Sequence, residues 1–204
     1  KIKFSCTPFD ISAVNYLKKY VDFFKIASYE LSWPLLLEKC AKTKKPVVLS
    51  TGMSNLKEVK HAVKILQLNK CKKISLMHCV SSYPAEATSC NLNSINFLKN
   101  FFNCDVGWSD HTVNPLLIYS AIKNHNANYI ELHVDLDGKG WESMGGQHCW
   151  LPSQVKNLMS YLSNEKKIDG IFGKKVSINE KKERKLRADP DDGLRPLKKF
   201  RNKL

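Results

Sequence analysis

The sequence contains no hydrophobic run long enough to cross a bilayer and no CxxC pair of cysteines. A membrane helix needs about 20 consecutive apolar residues, so we expect no membrane partner. The seven cysteines are odd in number, which does not favour a disulfide framework. Because unpaired thiols are typical of a reduced compartment, we expect a cytoplasmic protein.

Acidic residues are too few to balance the basic ones, and the formal net charge is +14. Half of this excess lies in residues 165–204, which hold 14 Lys or Arg and 7 Asp or Glu. The basic C-terminal tail, taken as residues 166–204, has two aromatic residues, Phe172 and Phe200, and no nucleic-acid-binding motif. We therefore expect a solvated basic surface and no nucleic-acid partner, with steering of an anionic substrate as the second interpretation.

Six short apolar segments each end in a polar residue or a cysteine, with helical patterns between them. These segments end at Thr7, Ser28, Thr51, Cys79, Asp110 and His133. Segments that are apolar on both faces are typical of parallel strands covered by helices. A doubly wound sheet would use only the strands at its switch point for a site. Since all six ends carry functional residue types, the pattern favours a barrel.

The fold class predicted is α/β, as a partial TIM (β/α)₈ barrel in residues 1–165. About six of the eight strand–helix units are present, and we expect the missing two to precede Lys1. Helices are predicted to start at Asp10 or Ser12, near Pro34 and at Ser54, and to cover 94–102 and 115–124. A loop over 135–151 is followed by a last helix that Pro152 opens.

Lysine and hydroxyl side chains near the ends of the second and third strands have the chemistry of anion ligands. Lys25 supplies charge, the hydroxyls of Ser28 and Ser50 donate hydrogen bonds, and the glycine of the Ser50-Thr51-Gly52 run lets backbone approach a phosphate. An ammonium inside an apolar run needs a partner. The alternative is a purely structural ion pair between Lys25 and Glu30.

Two histidines, His111 and His133, follow neighbouring strands. Adjacent strands lie about 4.8 Å apart, so both imidazoles can reach one ion. Asp110 and Glu131 flank them, which predicts a mixed nitrogen and oxygen site for a divalent first-row ion. His78 is expected to be structural, and no role is assigned to the other histidines: His61, His125 and His148.

The motifs KIAS, LSTGM, HCVSSYP, GWSDHT and IELH stand in this order at the strand ends. Over roughly residues 4 to 165 this series resembles the sialic acid synthase family, barrel enzymes that condense phosphoenolpyruvate with an N-acylated aldose. The resemblance implies a transferase of carbohydrate biosynthesis whose small-molecule substrates are these two compounds. It also implies a nonulosonic acid and phosphate as products, with a homodimer as the expected state of the full-length protein.

The resemblance also implies a role for each matching residue. Phosphoenolpyruvate would contact Thr7, Lys25, Ser28, Ser50 and Ser109. His111 and His133 would hold the divalent ion, expected to be Mn²⁺ or Mg²⁺. Glu131 and Ser109 would be catalytic, and the acceptor sugar would be bound by Ser81 and Tyr83, with Tyr83 serving either as a lid or as the aromatic of a packed turn.

Three residues depart from the family pattern, and one of them is Leu132, which replaces the basic residue often found between the Glu and the His. Ser81 stands where some members have Asn, and Gln147 stands before His148 where the pattern has Asp. A glutamate, a second lysine and a glutamine of the family would lie on the two missing strands. Two rival interpretations therefore stay open: another phosphoenolpyruvate-dependent 2-keto sugar acid synthase, or a non-catalytic truncated barrel that acts as a binding module.

Overall fold

The structure, a computed structural model, describes residues 2–141 and 147–201 of the chain. Within them one sheet of six parallel strands runs in the order β1-β2-β3-β4-β5-β6. Its strands are β1 Ser5–Cys6, β2 Phe23–Ile26, β3 Val47–Ser50, β4 Ile74–Cys79, β5 Asp105–Asp110 and β6 Ile130–Leu132. The strand order has no reversal, so the sheet lacks the switch point of a doubly wound fold. The prediction of a partial α/β barrel is confirmed.

Helices follow the strands and cover one face of the sheet. These helices are α1 Ile11–Leu17, α2 Pro34–Lys42, α3 Leu56–Leu68, α4 Asn93–Phe102, α5 Pro115–Lys123 and α6 Pro152–Asp169. A further short helix, α7 Glu180–Glu183, occurs later in the chain. Asp10 caps α1, as expected, and its carboxylate accepts the Ala13 N–H at 2.8 Å. The prediction that Ser54 caps α3 is wrong. Asn55 does so in a reciprocal capping box with Glu58.

The hydrophobic core lies between the helices and the sheet. Alternate strand residues point into it, including Phe24, Ile26, Leu49, Leu76 and Trp108, each with no exposed surface. Because side chains alternate across a strand, the residues between these project from the opposite face of the sheet. That face carries the polar residues of interest, among them Lys25 in β2 and Ser109 in β5.

The chain divides into two compact units, Lys1–Leu162 and Ser163–Leu204. The boundary expected between residues 165 and 166 stays a prediction. In the second unit Arg201 forms a double hydrogen bond with the Asp192 carboxylate, and the Asp189 carboxylate accepts the Lys198 N–H at 2.7 Å. No helix of the described segments is long and apolar enough to span a bilayer. The seven cysteines, all of them described, form no disulfide.

Candidate functional site

A cavity of about 310 Å³ opens at the carboxyl ends of the strands. It is lined by residues from all six strand ends, since register brings them together: Cys79 of β4, Ser109 of β5 and Glu131 of β6 are successive Cα partners. Partners in register project to the same face of a sheet. The lining includes almost every residue predicted for the site: Thr7, Lys25, Ser28, Ser50, Tyr83, Ser109, His111, Glu131 and His133.

One end of the cavity carries a lysine surrounded by hydroxyl groups. Lys25 Nζ donates a hydrogen bond to Ser50 Oγ at 2.7 Å and lies 3.3 Å from Glu131 Oε2. Ser109 Oγ donates to the other oxygen, Glu131 Oε1, at 2.8 Å. The expected ammonium partner is therefore present, but it is Glu131. The alternative pairing of Lys25 with Glu30 is wrong.

The turn after β3 brings backbone close to the hydroxyl of Ser28. Gly52 N–H donates to Ser28 Oγ at 3.0 Å. A Cβ on Gly52 would come within 2.2 Å of Ser81 Oγ and 2.8 Å of Ser28 Oγ, so only glycine fits there. Ser81 does not line the cavity, and its hydroxyl oxygen is buried without a hydrogen-bond partner among the described residues. The Ser81 hydroxyl thus occupies the space beside Gly52, and its expected sugar contact stays a prediction.

The other end of the cavity is rich in imidazole rings. The ring centroids of His111 and His133 lie 5.2 Å apart, and that of His148 lies 4.8 Å from His133 and 6.2 Å from His111. The Tyr83 ring packs against all three, with centroid distances of 4.3, 6.0 and 4.9 Å. Tyr83 is 39 % exposed, so it covers this cluster from the solvent side.

His111 is held in a form that suits metal binding. Its Nδ1 lies 2.7 Å from the carbonyl oxygen of Val80. A carbonyl only accepts hydrogen bonds, so Nδ1 carries the proton and Nε2 keeps its lone pair. Burial lowers the pKa of His111, and the nearby His133 and His148 rings act in the same direction, although the Val80 hydrogen bond opposes them. A neutral imidazole with one nitrogen bonded to a backbone carbonyl is the usual arrangement of a metal-binding histidine, so the cluster fits a divalent ion.

Asp110 has a structural role that differs from the metal ligation considered for it. It has no exposed surface, and both carboxylate oxygens already accept hydrogen bonds. Oδ1 accepts from Thr112 Oγ1 at 2.6 Å and from Trp108 Nε1 at 3.3 Å. Oδ2 accepts from Val113 N at 3.0 Å and from Trp150 Nε1 at 2.9 Å. Asp110 thus ties the loop after β6 to the end of β5.

Two residues of the site were missed by sequence reasoning. His148 and Cys149 lie in the predicted loop over 135–151, of which residues 142–146 are outside the described part. His148 is 5 % exposed, although nothing in its local sequence distinguishes it from a surface histidine. The neighbouring Trp150, an apolar residue in a loop rich in glycine, was the available signal of a buried anchor. His78 is structural, as expected, because its Nε2 contacts the Cys90 carbonyl at 2.8 Å.

Comparison with known proteins identifies the family. The NeuB family model matches residues 1–174. The chain belongs to the NeuB family. The resemblance to sialic acid synthases, deduced from the strand-end motifs, is thereby confirmed. The matched residues include the whole cavity, so the Lys25 and histidine ends both lie within the NeuB region.

Among its relatives, the NeuB chain is 42% identical over 173 residues to the uncharacterized protein MJ1065 of Methanocaldococcus jannaschii, covering 84% of this chain and 50% of that protein. It is 36% identical over 184 residues to N,N'-diacetyllegionaminic acid synthase of Campylobacter jejuni, covering 89% and 54%. The chain thus spans about half the length of the curated relatives it matches.

A solved structure shows the same fold. The crystal structure of N-acetylneuraminic acid (sialic acid) synthetase from Leptospira borgpetersenii, in complex with citrate, superposes with a TM-score of 0.72 at 31% identity. The superposition covers 87% of this chain and 61% of that one. Relatives of this NeuB chain are thus named as synthases of different nonulosonic acids.

Proposed function

We propose that this chain forms the larger part of the active site of a synthase that condenses phosphoenolpyruvate with an N-acylated aldose. The products would be a nonulosonic acid and inorganic phosphate. The observation that carries the proposal is the polarity of one cavity, with Lys25 and three hydroxyls at one end and two imidazoles, those of His111 and His133, at the other. An anionic substrate and a polarised carbonyl acceptor need these two ends side by side.

The lysine end would bind phosphoenolpyruvate. Lys25 supplies a positive charge whose side chain is only 14% exposed. Ser50 already contacts Lys25. Ser28 Oγ accepts the Gly52 N–H and lies 3.2 Å from Cys79 Sγ, so its hydroxyl proton can turn from the thiol to a bound anion. Such charged hydrogen bonds are about twice as strong as neutral ones. These three residues would hold the phosphate and carboxylate, with Thr7 at the rim.

The histidine end would hold a divalent ion through His111 and His133. Manganese or magnesium is the expectation that the family resemblance gives. A bound divalent ion supplies Lewis acidity to the aldehyde oxygen of the acceptor. Tyr83 would bind the acceptor sugar from the solvent side and exclude water from the imidazoles.

Glu131 would act as the general acid and base of the reaction. In the reaction, the methylene carbon of phosphoenolpyruvate forms a bond to the aldehyde carbon, and the aldehyde oxygen gains a proton. Water adds to C2 and loses a proton, and phosphate leaves with cleavage of its bond to C2. The Glu131 carboxylate, held by Ser109 at 2.8 Å, lies in the same cavity as His133 and can exchange a proton at either position.

Gln147 bears on the choice of acceptor. A carboxylate accepts hydrogen bonds from two hydroxyls, whereas an amide offers one acceptor and one donor group. Gln147 is exposed and has a left-handed backbone, with φ of 51°. We expect the preferred sugar to differ from N-acetylmannosamine in its hydroxyl pattern, as a deoxy or amino N-acyl hexose does.

Phosphate release in the full-length protein tests the proposal. The protein is incubated with phosphoenolpyruvate, a divalent ion and either N-acetylmannosamine, 6-deoxy or 4-amino N-acyl hexoses, or an aldose phosphate. We expect phosphate release that requires an N-acyl aldose. Release only with the aldose phosphate would support the rival synthase. No release with any aldose would contradict the proposal and favour a binding module.

A further inference from the structure

A buried thiol lines the cavity beside the hydroxyls of the lysine end. Cys79 is the last residue of β4 and is 6 % exposed. It is the Cα partner of Ser109, so its side chain projects to the same face of the sheet as Ser109 and Glu131. Its Sγ lies 3.2 Å from Ser28 Oγ. A free cysteine usually packs as a small apolar residue, whereas this one contacts a hydroxyl of the cavity.

The hydrogen bonds around Ser28 leave one arrangement that suits an anion. A hydroxyl has one proton to donate and two lone pairs that accept. The Gly52 N–H occupies one lone pair, at 3.0 Å from Ser28 Oγ. If the Ser28 proton points to Cys79 Sγ, the remaining lone pair faces the anion and repels it. If the Cys79 S–H donates to that lone pair, the Ser28 proton is free to point to the anion.

Close packing around Gly52 holds the sulfur near the hydroxyl. A Cβ on Gly52 would come within 2.9 Å of Cys79 Sγ and 2.8 Å of Ser28 Oγ. The hydroxyl of Ser81, which fills the rest of this space, has no hydrogen-bond partner among the described residues and so does not compete for the thiol proton. The packing therefore leaves the thiol little room to move away from Ser28 when an anion enters.

We propose that Cys79 is a positioning residue for the anionic substrate. When the anion binds, the Ser28 proton turns from the sulfur to the phosphate or carboxylate group, and the Cys79 S–H then donates to Ser28 Oγ. The inference rests on the proposed function for the identity of that anion, phosphoenolpyruvate. A thiol is a weak donor, so its main effect is on the direction of the Ser28 proton. Hydrogen bonds in such a chain also strengthen one another.

Two substitutions of Cys79 test its effect on anion binding. Full-length protein is titrated calorimetrically with phosphoenolpyruvate and with inorganic phosphate. Cys79→Ala removes the donor and should raise the Kd for both anions by about threefold to tenfold. Cys79→Ser keeps a donor and should bind nearly as the native protein does. Cys40→Ala is the matched control, because Cys40 is a buried thiol of α2 that does not line the cavity. An unchanged Kd in Cys79→Ala would overturn the inference.

A double-mutant cycle tests whether Cys79 acts through Ser28. In a Ser28→Ala background the hydroxyl is absent, so Cys79→Ala should raise the Kd no further. The same fold-change in both backgrounds would overturn the inference, because a purely structural thiol acts without Ser28.

The infrared S–H stretching band tests the thiol in the native protein. Inorganic phosphate should move one S–H band to the lower frequency of a donating thiol, and Cys79→Ser should lack this change. A native spectrum that phosphate leaves unchanged would overturn the inference, and that measurement needs no variant to fold.

Phosphate release, assayed on the same samples with phosphoenolpyruvate and N-acyl aldoses, separates the inference from the proposed function. Release by a native protein whose Cys79→Ala variant binds normally would overturn the inference and leave the proposed function intact. Binding of inorganic phosphate that weakens in Cys79→Ala, without binding of phosphoenolpyruvate or any release, would support the inference and contradict the proposed function. A native protein that binds neither anion would overturn both.

Discussion

At the scale of single residues, the ion pair of Lys25 and Glu131 sets the charge of the cavity. The Glu131 side chain is 36% exposed, and an ion pair this open to water contributes only about 0 to 1 kcal/mol. A phosphate group carries more charge than a carboxylate, so it can replace Glu131 as the partner of Lys25. That exchange would free Glu131 for proton transfer when substrate binds.

Lys25→Met should therefore weaken substrate binding more than it weakens the fold. We expect the KM for phosphoenolpyruvate to rise, or turnover to fall, at least tenfold in the full-length protein, equivalent to about 1.4 kcal/mol. Lys42→Met is the matched control, because Lys42 pairs with Glu38 on the surface of α2. Steady-state kinetics of both variants decide the matter, and unchanged kinetics in Lys25→Met would assign Lys25 a purely structural role.

Asp110→Asn should destabilise the protein and release the loop that carries His148. An amide has one acceptor oxygen, so two of the four donors around Asp110 lose their partner, at a cost of about 2 to 4 kcal/mol. For a chain of this size the melting temperature should fall by about 5 to 15 °C. Asp137→Asn, on the surface of the same loop, should melt like the native protein. Equal melting of the two variants would show that Asp110 does not anchor the loop.

At the scale of elements, the sequence prediction and the structure differ in the residue that caps the start of α3. Asn55 Oδ1 accepts the Glu58 N–H at 3.1 Å, and Glu58 Oε2 accepts the Asn55 N–H at 2.8 Å. Ser54 instead contacts the Gly52 carbonyl at 3.4 Å. Both residues are good helix caps in isolation, so only the backbone path of the turn after β3 selects Asn55.

Asn55→Ala should lower the free energy of unfolding by about 1 kcal/mol, because the Glu58 N–H of the first turn loses its side-chain acceptor. Ser54→Ala should change it much less. Denaturant unfolding of the two variants measures the difference. If the dependence of the free energy on denaturant concentration is the same for both, the midpoint concentrations can be compared directly. A larger loss in Ser54→Ala would restore the sequence prediction for the cap.

At the scale of the whole molecule, the sheet has two edges. Within the described residues β1 pairs only with β2, and β6 pairs only with β5. Barrels normally remove such edges by closure, and an uncovered edge of parallel strands exposes unpaired backbone groups. The 204 residues alone should thus be marginally stable and a poor catalyst compared with the full-length protein.

Thermal unfolding and phosphate release of the two forms test this expectation. We expect a lower and broader transition for residues 1–204, together with self-association through the sheet edges. Activity should be at least tenfold below that of the full-length protein. A cooperative transition of a fully active monomer would show that six strands suffice for the fold and the site.

The amino-acid sequence by itself determined the order of strands and helices and the edge of the sheet at which the site lies. Parallel strands joined by helices bring their carboxyl ends together whatever the side-chain details are. For this reason Lys25, Ser50, Ser109 and His133 could be assigned to one site before their distances were known.

The tertiary structure alone decided which side chains are partners. Lys25 pairs with Glu131 and not with Glu30, Asp110 binds Trp150, and Cys149 lies near His133 and His148. Each of these contacts except that between Cys149 and His148 joins residues far apart in the sequence. Strand periodicity fixes the face on which a residue lies, whereas a contact across the cavity depends on register and on the path of a loop. The loop after β6, which carries Cys149 and Trp150, has no periodic pattern from which its path could be predicted.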